Sequence, residues 1–250
     1  MGKRAFEMVG NKLDLLAVSV HPDDIELCAA GTLLAHKSLG YRVGILDLTK
    51  GELGTRGTDE IRLQEAAESA SIGNLDYRGN VGLADGFFEH NESTIRRIIP
   101  FLRQLQPDVV LINARWDRHP DHARASKLVH DACFYSGLLK IKTIDPNTLK
   151  EQERWRPKTV YQYIQDYTST PDIVVDISDH QERKMEMIRA FKSQFYDPES
   201  NEPSSPISSK DFLDNVIAKD RVMGRFIGAT YGEGFHTLRP VGIEDLTHTL

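Results

Sequence analysis

Cysteine is scarce in this chain. There are two in 250 residues, Cys28 and Cys133, far apart and with no CxxC pair. That excludes a disulfide framework and points to a reducing compartment. Long apolar runs are also missing, and none approaches the length needed to span a bilayer. The opening stretch "MGKRAFEMVGNKLDLL" has no apolar core of signal-peptide length, so a cytoplasmic location with no membrane partner is expected. A basic excess is absent too. The formal charge is −6, against the basic face usual in a nucleic-acid binder. No GxGxxG dinucleotide fingerprint follows the first predicted strand, because Pro22, Asp23 and Asp24 fill that position.

What remains is the composition of an ordinary globular protein, 40% hydrophobic and 27% charged, long enough for one sizeable domain. "LDLLAVSV" (13–20) reads as a buried strand and "YRVGILDLT" as a second. A helix is predicted over 24–37 between them, with Gly40 as its stop. Thr58 is a plausible N-cap for a helix over 59–73. A short strand is expected near 75–77 and a helix over about 92–104, which Pro100 kinks or ends. "PDVVLINA" is the clearest strand, followed by a helix over 121–136. Segment 140–158 is polar and irregular. "TVYQYIQ" and "DIVVDIS" read as strands, and further helices are predicted over 179–195 and 210–226. Strand–helix alternation of this kind implies one α/β, Rossmann-like domain spanning 1–250, mostly parallel, with helices on both faces. The ends, 1–12 and 241–250, are expected to be peripheral.

Two short motifs carry chemistry. "HPDD" (21–24) follows the first strand and "HPDH" (119–122) the fourth. In open α/β sheets ligands sit beyond the carboxyl ends of strands, so both motifs should reach one rim, with the loops after strands two and three. A hydrolytic zinc site needs about three His or carboxylate ligands and an open position. His21 and Asp24 are spaced to meet one ion, with Asp23 near its water. One of His119 and His122 can complete the shell while the other faces substrate. Either motif alone would read as an N-cap with Pro in the first turn. Capping, however, does not require histidine, and here the same pattern occurs twice. Cys28 reads as a small buried helix residue. Trp116 and Trp155 read as packing residues, with Trp116 close enough to the second motif to serve as a sugar platform.

With these motifs the sequence resembles the LmbE-like (PIG-L) N-acetylglucosaminyl deacetylase superfamily. "LTKGELGTRGTDEIRLQEA", "NVGLADGFF", "RWRPKTVYQYIQ", "VVDISDHQERKMEMIRAFKSQF" and "YGEGFHTLRP" are similar to the bacillithiol-biosynthesis deacetylases in particular. The resemblance implies one Zn2+ per chain, or another divalent ion, on His21, Asp24 and His122. It implies Asp23 as general base and His119 as electrophilic or acid partner. Asp121 would orient an imidazole or cap the following helix. Arg56 would bind substrate, and Tyr231 would help hold the oxyanion. The implied substrate is a small N-acetylated sugar conjugate, N-acetylglucosaminyl malate, and the implied assembly a homo-oligomer, often a hexamer. Malate carries two carboxylates, so Arg56 is the first candidate for their partner. Two alternatives stand beside this reading: a deacetylase of an inositol- or oligosaccharide-linked N-acetyl sugar, and a non-catalytic sugar- or nucleotide-binding module. The retained Asp23 speaks against the last.

Overall fold

In the computed structural model of the chain, residues 12–243 are described. The expected peripheral ends fall largely outside that span. Seven strands form one sheet: β1 (Leu15–Ser19), β2 (Val43–Asp47), β3 (Tyr77–Asn80), β4 (Val109–Ile112), β5 (Thr159–Tyr163), β6 (Ile173–Asp176) and β7 (Gly232–Thr237). Their order is β3-β2-β1-β4-β5-β7-β6. The β3-to-β5 portion is parallel throughout. β7 runs antiparallel between β5 and β6.

β1 is the centre of the fold, and every residue in it is buried. Alternate side chains serve opposite faces. Leu16 and Val18 join one core with Ile98, Ile99, Leu102, Leu128 and Val129, supplied by α4 (Glu92–Leu105) and α5 (Pro120–Ser136). Leu15 and Ala17 join another with Ile25, Leu33, Leu34 and Met187, supplied by α1 (Asp24–Cys28), α2 (Ala30–Ser38) and α6 (Gln181–Arg189). α3 (Asp59–Ile72) packs on α6, and α7 (Lys210–Arg225) on β6 and β7. Burial of β1 on both faces is why its sequence is a continuous apolar run. The chain leaves β1 toward β2 on one side, while β4 lies on the other. That reversal opens a crevice at the carboxyl ends of β1 and β4. No helix among the described residues is long and apolar enough to cross a membrane.

Several boundaries differ from the sequence reading. The helix expected over 24–37 is two helices, broken at Ala29 (φ −148°). The free N–H groups of Gly31 and Thr32 donate to the Glu233 carboxylate on β7 at 3.0 and 2.7 Å. A side chain some two hundred residues away thus caps the second helix. Pro100 neither ends nor replaces α4, which continues to Leu105. The apolar face Ile95, Ile98, Ile99, Leu102 and Leu105 is buried, and this burial offsets the one backbone bond that proline removes. The third strand begins at Tyr77 rather than ending there. The helix expected over 179–195 is a 3-10 turn (Ser178–His180) followed by α6, which stops at Arg189. Ser193 and Gln194 are thereby free to bind Glu65 and Arg56. β7 (Gly232–Thr237) is a strand that the sequence pattern does not announce.

Candidate active site

The two His-Pro-Asp motifs meet at the crevice. Asp24 begins α1, and its Oδ2 accepts from the His21 backbone N–H at 3.1 Å. His119 is the N-cap of α5, with Pro120 in the first turn and His122 one step inward. His21, Asp24 and His122 form a group whose facing ligand atoms all lie within 4.8 Å of one another. Asp24 stands between the imidazoles, its Oδ1 3.3 Å from His122 Nε2 and its Oδ2 3.7 Å from His21 Nδ1. Asn113, at the end of β4, donates to Asp24 Oδ2 at 3.3 Å and to Gln165 Oε1 at 3.1 Å.

Each clustered imidazole has a carboxylate on its far nitrogen. Asp85 Oδ1 lies 2.9 Å from His21 Nε2, and Asp117 Oδ2 lies 2.5 Å from His122 Nδ1. Both carboxylates are anchored in turn by backbone donors, Leu53 N–H to Asp85 Oδ2 and Tyr167 N–H to Asp117 Oδ1. A carboxylate accepting from one ring nitrogen leaves the other lone pair free for a metal, the usual outer arrangement of a histidine-ligated ion. The donor set therefore fits a divalent cation. Neither Asp85 nor Asp117 was singled out from sequence, although both lie in or beside the stretches that carry the family resemblance. Burial opposes charge on His122, but Asp24 and Asp117 outweigh it and raise its pKa to about 10. Burial likewise opposes charge on His21, which Asp85 and Asp24 nonetheless hold above its ordinary value. Asp24 is held below the carboxylate range by His122 and His21 despite its burial.

Asp23 is turned away from this group. Its φ of 130° lies in a region that side-chain-bearing residues rarely adopt, the kind of backbone strain that persists where surroundings over-determine it. Here the partner is Arg62 on α3, whose Nη2 is 3.3 Å from Asp23 Oδ2 and also bonds Gln194 Oε1. Gly51 makes room for that guanidinium: a Cβ there would lie 1.8 Å from Arg62 Nη1. Burial pushes the Asp23 carboxyl up to about 7 against the pull of Arg62. Sequence reasoning missed Arg62. Its signal was its place on the buried side of α3, six residues after Arg56.

His119 completes the constellation, its ring centroid 4.8 Å from that of His21 and 5.1 Å from that of His122. The Asp121 backbone N–H donates to His119 Nδ1 at 3.3 Å, which leaves the proton of the neutral ring on Nε2. Burial, then the nearby His21 and His122, hold its pKa below the ordinary value. The Asp121 carboxylate is fully buried. It accepts from Gly86 N–H at 2.9 Å and from Arg124 Nη1 at 2.8 Å, so it ties the loop after β3 to α5.

A cavity of about 720 Å3 opens over these groups, within the size range of small-molecule sites. Loops after β1, β2, β3 and β4 all reach it, as does one wall that sequence did not suggest, formed by residues 205–207 and α7. Neither expected substrate residue lines it. Arg56 turns inward, donating to Ser200 Oγ at 2.5 Å and Phe195 O at 3.4 Å. Tyr231 stands beyond α7 and accepts from Arg221 Nη2 at 3.1 Å. Cys28 is buried as expected and also lines the cavity. Trp155 packs and donates to Pro107 O. Trp116, by contrast, is 72% exposed, its ring centroid 4.7 Å from that of Tyr167.

The chain also resembles known proteins. The family described as PIG-L, GlcNAc-PI de-N-acetylase, matches residues 16–133. A diacetylchitobiose deacetylase of Thermococcus kodakarensis is 29% identical over 197 residues, covering 72% of this chain and 70% of that protein. A probable N-acetyl-alpha-D-glucosaminyl L-malate deacetylase 2 of Bacillus anthracis is 25% identical over 198 residues, 74% of this chain and 83% of that one. The crystal structure of the conserved protein TT1542 from Thermus thermophilus superposes with a TM-score of 0.80 at 36% identity, covering 92% of this chain and 97% of that one.

Proposed function

We propose that this chain is a de-N-acetylase of the PIG-L kind, from the family match over residues 16–133 and the likeness to a diacetylchitobiose deacetylase: a zinc-dependent hydrolase that removes the acetyl group from an N-acetylglucosamine conjugate. The observation that carries the reading is the buried His21, Asp24 and His122 group with Asp23 beside it on the floor of a cavity. The binding-module alternative has no use for Asp23, held in a strained conformation next to that group. N-acetylglucosaminyl malate is the specific substrate we propose, from the sequence resemblance and the Bacillus anthracis relative. Cytoplasmic location and assembly as a homo-oligomer, a hexamer by resemblance, complete the proposal. The exposed Phe87 and Trp116 are side chains that a subunit interface would cover.

His21, Asp24 and His122 would hold the ion, with Asp85 and Asp117 fixing the two imidazoles. Zinc there would supply a Lewis acid that polarises the acetamide carbonyl and acidifies a water. Asp23 accepts the proton of the attacking water as the new C–O bond forms, while Arg62 keeps its carboxylate aimed. His119 donates from Nε2–H to the oxyanion that develops on the carbonyl oxygen. Protonated Asp23 then passes its proton to the amine as the C–N bond breaks, leaving acetate and a free amino sugar. Asp121 holds the His119 loop against residue 86. Arg56 supports the wall around 195–200 rather than the substrate.

The test separates the neighbouring carboxylates. Asp24→Ala should lose the metal, and a strong chelator should abolish turnover. Asp23→Asn should keep the metal and lose roughly 10²–10⁴ in kcat. Acetate release is followed by mass spectrometry across malyl, inositol and chitobiose conjugates. An Asp23→Asn protein without metal, beside a loaded Asp24→Ala protein, would reverse the two roles.

A further inference from the structure

Three strong cations line the cavity: Arg62, Arg118 and Lys219. Two are already neutralised. Arg62 faces Asp23, and Arg118 Nε is 2.7 Å from Asp166 Oδ2. Lys219 differs. Its ammonium donates to the Gln165 backbone carbonyl at 3.1 Å and lies 3.9 Å from Cys28 Sγ. No carboxylate stands within ion-pair distance of it among the described residues. One carbonyl and a thiol do not satisfy three N–H donors and a full charge.

Its position is deep. Cys28 lies one helical turn beyond Asp24. Gln165, which binds Lys219 through its backbone, accepts through its side chain from Asn113, and Asn113 in turn donates to Asp24. Lys219 therefore stands on the wall next to the proposed metal ligands. That wall is rigid at this point. The following residue, Asp220, is buried against Lys184 at 2.7 Å, and Lys184 also meets Glu233 on β7 at 2.9 Å. α7 is thus pinned to the sheet one residue from Lys219.

We propose that Lys219 binds a carboxylate on the part of the substrate beyond the acetamido sugar, and so sets the preference for an acidic conjugate. This deepens the deacetylase reading and rests on it. The chain's formal charge of −6 does not favour an anion from bulk solution, so an acidic ligand needs a local partner. Arg56 is turned away, and the other two cations are engaged. A half-buried ammonium with donors left over can offer a carboxylate a charge-assisted hydrogen bond.

The experiment compares metal-loaded wild type, Lys219→Gln and Lys219→Arg on N-acetylglucosaminyl malate and on neutral methyl N-acetylglucosaminide. Lys219→Gln should lower kcat/KM on the malyl conjugate by about ten- to a hundredfold, chiefly through KM. The neutral glycoside should change by less than about threefold, and Lys219→Arg should recover much of the malyl activity. Equal losses on both substrates, or none on the malyl conjugate, would overturn the proposal. If wild type releases acetate from neither, nor from the inositol and chitobiose conjugates, the deacetylase reading itself falls. Calorimetric titration with the malyl conjugate then still judges Lys219, because unchanged affinity in Lys219→Gln refutes it and a tenfold loss upholds it.

Discussion

Replacing Asp117 by asparagine tests whether the outer carboxylates set the proposed metal site. Asp117 is fully buried at its side chain, with Oδ2 2.5 Å from His122 Nδ1 and Oδ1 accepting from Tyr167 N–H at 2.8 Å. As a carboxylate it can only accept, so it keeps one imidazole proton on Nδ1, and the nitrogen left to give up its proton to a metal is Nε2, facing Asp24. Asparagine keeps the shape but must turn its NH2 to one of the two partners. Turned to His122, it donates to Nδ1 and moves the ring proton to Nε2, where a ligand is needed. Turned to Tyr167, it opposes two donors and loses that backbone bond. Either way the expected loss is the 10–100-fold in metal affinity typical of such partners, about 1.4–2.7 kcal/mol. A charged hydrogen bond of about 1.5–3 kcal/mol gives the same range. Competition with a chromogenic chelator at pH 7 measures it. Asp131, 2.9 Å from His90 on the surface, is the control, and Asp131→Asn should leave affinity unchanged. Wild-type metal affinity in Asp117→Asn would refute the reasoning.

Other outcomes follow from groups outside the reacting centre. Lys184→Met leaves Asp220 and Glu233 buried without their shared cation. Such a loss costs about 3–5 kcal/mol, a fall of roughly 6–20 °C in Tm for a chain of this size. A scanning-calorimetry shift under about 2 °C would show that the two carboxylates find other partners. Burial pushes the Cys28 and Cys133 thiols up to about 12. Since the thiolate is the reactive form, native protein at pH 8 should resist iodoacetamide and take up two labels per chain only after denaturation. Rapid native labelling of Cys133 would contradict its burial.

What sequence could show was local. A helix start holds its first turn within a few residues, so the i, i+3 pairing of His21 with Asp24 and of His119 with His122 is legible without the fold. The deep apolar runs of β1 and β4 are equally plain, because burial on both faces leaves a continuous signal. The outer carboxylates are another matter. Asp85 reaches His21 across 64 positions of sequence, and nothing near either residue announces the other. The break at Ala29 depends on Glu233, and Glu233 is useful there only because β7 inserts between β5 and β6. That strand reads "GEGFHT", with two glycines and little apolar alternation, so its pairing is set by tertiary position rather than by pattern.

The different settings of Arg56 and Arg62 have the same physical origin. Both lie in the stretch that runs from β2 into α3, and both are buried. Composition cannot say which guanidinium faces the cavity. The backbone decides it. Gly51, at φ 68°, leaves the space that Arg62 fills, while Arg56 is carried past the helix start toward Phe195 and Ser200. A similar decision separates the adjacent carboxylates. In a regular turn, Asp23 and Asp24 would compete for one position. The φ of 130° at Asp23 splits them, sending Asp24 between two imidazoles and Asp23 to a guanidinium. Two like residues one bond apart thereby acquire opposite electrostatic settings, one held ionised and one raised toward neutrality. That division suits the two tasks proposed for them, since a metal ligand must stay charged and a base must be able to take up a proton. The strain at Asp23 is therefore best understood as what keeps the two carboxylates from sharing a role.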